Sequence, residues 1–130
     1  MELVRNQQPA RGTPDRFTGD VSIDTVTGGQ GESPVQISAV HFSAGARSAW
    51  HSHTLGQTLY ISEGAGFVQS RGQEIVTLQA GDVVRTPAGE WHWHGASPEH
   101  AMTNISITQA APNAPDQWGD LVTDNEYQAT

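Results

Sequence analysis

Turn signals recur at short intervals through the middle of this chain: Ala44-Gly45, Glu63-Gly64, Arg71-Gly72, Ala80-Gly81-Asp82 and Pro87-Ala88-Gly89. Between them lie segments of strand length, and that rhythm predicts a sandwich or barrel of short strands. The predicted strands are Phe17–Thr25, Val35–Ser43, Ser48–His53, Gln57–Glu63, Gly66–Gln69, Glu74–Leu78, Asp82–Thr86, Trp91–Gly95 and Ala101–Thr108. With 14 glycines and 7 prolines in 130 residues, composition also favours a turn-rich all-β chain over a helical bundle. The length suits one domain. Residues 1–16 read as a polar arm, 17–110 as the barrel and 111–130 as a tail. Within the tail, Trp118–Val122 is expected to pack back, and Thr123–Gln128 to form one helical turn capped by Thr123 or Asp124.

Charge narrows the function. The formal net charge is −8, with only six Lys and Arg, so phosphate backbones and anionic membranes are repelled. Nucleic acid and membrane partners are not expected; a small-molecule substrate is. Without cysteine there is no disulfide, thiolate metal site or thiol nucleophile. No apolar run reaches the roughly 18 residues of a membrane span, and the N-terminal residues lack the apolar core of a signal peptide. A cytoplasmic location is the expectation.

The chemistry is concentrated in histidines. In a strand, residues i and i+2 share a face, so His51 and His53 project together. Gln57 follows a short turn on the next predicted strand. The run "GEWHWHG" repeats the device with His92 and His94, and sends Trp91 and Trp93 to the opposite face. Two such pairs, each after a glycine-rich turn, point to a metal site. Neutral imidazole suits Zn, Cu, Fe and Ni, and an amide oxygen suits harder ions such as Mn.

The pattern Gly45-x5-His51-x-His53-x3-Gln57-x6-Gly64 resembles the first cupin motif, and Gly81-x5-Pro87-x-Gly89-x2-His92 the second. The resemblance implies a double-stranded β-helix, or jelly-roll barrel, with a metal held by His51, His53, Gln57 and His92. Gln57 stands where cupins usually place a glutamate, and Ala96 where they usually place an asparagine. A narrower likeness, through "AWHSHTLGQTL", "GEWHWHGA" and "VTDNEY", is to small bacterial cupins with hydroxynitrile lyase activity. Those are manganese-containing and cleave or form aromatic cyanohydrins, so the resemblance implies Mn, with Fe, Ni or Zn as alternatives. It also implies His94 and Asn104 as catalytic residues, although Asn104 stands where a histidine is expected.

Gln57 leaves a divalent ion its full +2 charge and offers no base, because an amide takes no proton at neutral pH. His94 is the candidate base or substrate orienter, with a fifth ligand or a hydrogen-bonding support as its other readings. On the predicted strand Val35–Ser43, Ser38, Val40 and Phe42 are assigned to the substrate pocket, and His41 to the outer face. Asn104, Ser106 and Thr108 share another face, and Thr108 joins the substrate set. His100 reads as a loop residue. Asp15, Asp20, Glu32, Asp116, Asp120 and Glu126 read as solvated surface charge.

Trp50, Trp91 and Trp93 face away from the ligands. They are expected to form part of a homo-oligomer interface, dimer or tetramer, unless flanking segments cover them. Two competing functions stand beside the lyase: a cupin dioxygenase of the quercetinase type, which usually needs the glutamate, and a non-catalytic small-molecule-binding cupin.

Overall fold

The computed structural model describes residues 1–29 and 31–128. Its strands are β1 (Ala10–Arg11), β2 (Phe17–Thr18), β3 (Val21–Gly28), β4 (Val35–Phe42), β5 (Arg47–Ser48) and β6 (His51–Ser52), then β7 (Gln57–Ser70), β8 (Val76–Gln79), β9 (Val83–Thr86), β10 (His92–Ala96), β11 (Met102–Gln109) and β12 (Gln117–Trp118). One short helix, α1 (Asp124–Tyr127), closes the tail. The chain is all-β apart from that turn, as the turn rhythm predicts. No helix among the described residues is long and apolar enough to cross a membrane.

Every ladder is antiparallel, and the sheet runs β1-β3-β4-β11-β7-β10-β5-β2. It curls because β7 is shared by two layers. The first half of β7 lies between β11 and β9, and the second half between β10 and β8. The sequence reading splits this strand at Glu63-Gly64, where the chain instead continues through a bend. Gly64 adopts φ 81°, and a Cβ there would fall 1.9 Å from the Ala101 carbonyl oxygen. Only glycine fits that crossing. Conversely, the predicted Phe17–Thr25 strand breaks at Gly19, φ 82°, into β2 and β3, which pair with β5 and β4 respectively.

Period-two burial fills the space between the layers. Gln57, Leu59 and Ile61 are buried on β7, while Thr58 is half-buried and Tyr60 exposed. The core joins Val21, Val40, Phe42, Leu59, Ile61 and Met102 to Ala46, Val68, Leu78 and Ala96. The strand β10 departs from alternation, since all five of its residues are buried. His92, His94 and Ala96 share one face of it. The other face, carrying Trp93, lies under a second cluster of Trp50, Val122 and Tyr127, flanked by Phe67, Ile75 and Trp91.

This second cluster gives Trp50 and Trp93 the cover by a flanking segment that the sequence reading names as the alternative to an interface, while Trp91 is half-buried. Trp93 is fully buried and Trp50 nearly so, beneath the chain's own tail. Burying one indole contributes roughly 4–6 kcal/mol of transfer free energy as an upper estimate. That gain helps hold the tail down. Tyr127 donates its hydroxyl to the Ala96 carbonyl at 2.5 Å. Buried Arg47 donates to the Val122 carbonyl and the Asp124 carboxylate, both at 2.8 Å. Thr123 is the N-cap of α1, in a reciprocal capping box with Glu126. Glu126 therefore caps a helix, where the sequence reading treats it as plain surface charge.

Candidate metal centre

The short strand β6 and the strand β10 lie side by side, with His51 opposite His92 in register. His53 follows β6 directly, and Gln57 opens β7. This pairing brings one ring nitrogen each from His51, His53 and His92 within 4.8 Å of one another. All three histidines are buried.

The hydrogen bonds decide which nitrogen faces inward. His51 Nδ1 lies 2.8 Å from the Ala49 carbonyl, His92 Nδ1 lies 3.0 Å from the Glu90 carbonyl, and His53 Nδ1 lies 2.8 Å from Asp116 Oδ2. Carbonyls and carboxylates only accept, so each ring donates from Nδ1 and keeps its lone pair on Nε2. His53 Nε2 is buried with no hydrogen-bond partner among the described residues. Gln57 donates from Nε2 to Ser106 Oγ at 2.8 Å, which turns its Oε1 toward His92 Nε2, 2.9 Å away.

With His92 donating through Nδ1, that last contact sets two acceptors face to face. They repel unless a cation binds both. Two donors at right angles on an ion about 2.1 Å from each stand about 3 Å apart. The orphaned His53 nitrogen and the facing acceptors together show that this donor set fits a divalent metal ion.

Burial keeps His51 and His92 neutral, the form that ligates. It pushes the His51 pKa well below the usual histidine value, helped by the His94, His92 and His53 rings. Burial also lowers that of His92. His94 is pushed down to about 3, chiefly by burial and then by His92 and His53. Its Nδ1 lies 3.0 Å from Asn104 Oδ1. Asn104 is fully buried, and its Nδ2 has no partner among the described residues.

The other assigned residues fall on the same side of the barrel. Val40 stands opposite Asn104 in the β4–β11 ladder, and Ser38 opposite Ser106, the acceptor of the Gln57 amide. Phe42 meets the His94 ring edge-on at 5.6 Å. Thr108 donates to Gln36 Oε1 at 3.2 Å. It lines a cavity of about 330 Å³ that also touches Leu55, Gln57, Thr86 and Ile107. Three larger clefts, of about 460, 440 and 470 Å³, touch none of the four candidate ligands. His41 faces the other side, bonded to Asp24 and Thr103, and His100 lies in an exposed loop.

Two residues at the site have no site role in the sequence reading, which takes Asp116 as surface charge and Trp118 as part of a segment that packs back. Asp116 is not free surface charge: one carboxylate oxygen binds the His53 ring, and the other accepts from the Thr54 amide at 3.0 Å. Trp118 stacks on His51, centroids 4.7 Å apart and planes 19° apart. Both come from the tail, and nothing in the local run "APNAPDQW" signals a metal site.

Residues 38–107 match the family model for the Cupin domain. An (R)-mandelonitrile lyase from Granulicella tundricola is 40% identical over 98% of this chain and 99% of its own. The crystal structure of a cupin-like protein from Thermotoga maritima superposes with a TM-score of 0.90 at 37% identity, covering 98% of each chain. The polyketide cyclase RemF from Streptomyces resistomycificus superposes with a TM-score of 0.74 at 15% identity, over 98% of this chain and 91% of its own. At that identity the likeness concerns the fold alone, and a cyclase on this barrel shows that the barrel does not choose the reaction.

Proposed function

The chain belongs to the cupin family, and from that premise we propose that it is a metal-dependent hydroxynitrile lyase acting on aromatic cyanohydrins. The observation that carries this reading is the charge-neutral donor set: three buried histidines, each with Nδ1 anchored, and the Gln57 amide oxygen. The likeness to a mandelonitrile lyase over the full chain supplies the reaction class. Manganese is the proposed ion, since an amide oxygen is a hard donor.

His51, His53, Gln57 and His92 would hold a divalent ion, which would supply Lewis acidity toward the cyanohydrin oxygen or the cyanide. The protein residues do the rest. His94, donating through Nδ1 to Asn104, presents Nε2 to the substrate hydroxyl and takes its proton. The carbon–carbon bond to the nitrile then breaks, the hydroxyl carbon becomes an aldehyde, and cyanide leaves with the bonding electrons. A buried imidazolium is costly, so His94 passes the proton on to cyanide, and hydrogen cyanide is released. Val40 and Phe42 form the apolar wall for the aromatic ring, and Ser38 and Thr108 its polar border.

The test is cyanide release from mandelonitrile under anaerobic conditions, before and after chelation. Release that disappears with the metal is expected. Turnover of other substrates only with oxygen uptake would replace the lyase with a dioxygenase.

A further inference from the structure

The three imidazoles are anchored in two different ways. His51 and His92 each donate to the carbonyl two residues earlier, a local contact with the residues that lead into their strands. His53 has no such local acceptor. Its partner is a carboxylate 63 residues away, on a strap that runs from Ala114 to Trp118.

That strap is tied to the metal-bearing segment at several points. Thr54 donates its hydroxyl to the Ala114 carbonyl at 2.6 Å, and its amide to Asp116 Oδ1. The strap then pairs with β6, Gln117 beside Ser52 and Trp118 beside His51. Both Asp116 oxygens are thereby engaged, so the carboxylate cannot turn away from His53.

We infer that Asp116 is a positioning residue of the metal centre: it holds His53 in the tautomer that carries its proton on Nδ1, and so keeps the buried Nε2 lone pair open for a metal ion. It also supplies charge. The donor set of three imidazoles and an amide carries none, and Asp116 places a negative charge one imidazole away from it. A hydrogen-bonded carboxylate makes the coordinated ring a better donor. The inference rests on the metal reading above.

The decisive comparison is between Asp116→Asn and Asp116→Ala in the full-length protein. Asparagine keeps an oxygen for the Thr54 amide, so its NH2 faces His53 Nδ1. That donor forces Nδ1 to accept, and moves the ring proton to Nε2 where the metal should bind. Alanine leaves the tautomer free. Manganese affinity, measured by titration, should therefore fall about 10- to 100-fold in Asp116→Asn, and by less in Asp116→Ala.

A purely structural carboxylate predicts the reverse order, because asparagine preserves the strap contact; that order, or unchanged affinity in Asp116→Asn, overturns the inference. Nitrogen NMR of the metal-free wild type reads the tautomer directly, even if a variant fails to fold. A His53 proton on Nδ1 is expected, and one on Nε2 overturns the inference. A wild type that binds no metal would instead remove the metal reading itself, whatever the tautomer.

Discussion

His92 and His53 offer the same nitrogen to the same point, but they are held there by different parts of the chain. His92 is oriented locally, by the Glu90 carbonyl in the turn that leads into β10. His53 depends on a tail that must first dock across Trp50, Trp93 and the second cluster. The first arrangement survives wherever β10 forms. The second couples the metal centre to packing on the opposite face of the same strand. Half of the cage is thus a local property of a strand, and the other half a property of tertiary closure.

The largest effect should come from removing a ligand. His53→Ala and His92→Ala should each lose the metal on dialysis, measured by elemental analysis; a full equivalent retained in both would abolish the distinction by removing the cage. Next is the tail. Tyr127 is buried against Phe67 and Trp93 and bonded to Ala96, so Tyr127→Ala should cost about 3–5 kcal/mol in denaturant unfolding. Metal affinity should fall with it, through the loosened Asp116 contact. Lowered stability with unchanged affinity would show that the strap holds His53 without the tail cluster.

Acid should have a smaller, signed effect on the metal-free protein. The folded-state pKa values of His51 and His94 are depressed, that of His94 to about 3. Unfolded rings bind protons first as pH falls below about 6.5. The His94 contribution is complete above that pH and is lost progressively from there toward about 3, and that of His51 is lost in the same direction. Thermal unfolding should show a loss on the order of a few kcal/mol between pH 7 and 4, and a shallower pH slope in His94→Gln. An equal slope would mean that His94 is not held neutral by burial. Smallest is the cap: Thr123→Ala removes the α1 capping bond and should cost about 1 kcal/mol in the same assay. Unchanged metal affinity in that variant would separate helix capping from strap docking.

Much of this molecule is written in local patterns. Alternation and turn residues are enough to show an all-β chain of short strands and which face each residue takes, because a strand's two faces follow from its period of two; the breaks between β2 and β3 and between β5 and β6 are not legible in them. The same period puts His51 with His53, and His92 with His94, and turns Trp93 away from them. A helical turn capped by Thr123 or Asp124 is legible locally, and the structure decides for Thr123. Three features needed the folded chain: the continuity of β7 through Gly64, the burial of Trp50 and Trp93 under the tail, and the conversion of Asp116 from apparent surface charge into the partner of His53. Each depends on which distant segments meet. Side-chain periodicity says which face a residue takes, but only the packed structure determines what covers that face and which hydrogen-bond acceptor stands behind each ring.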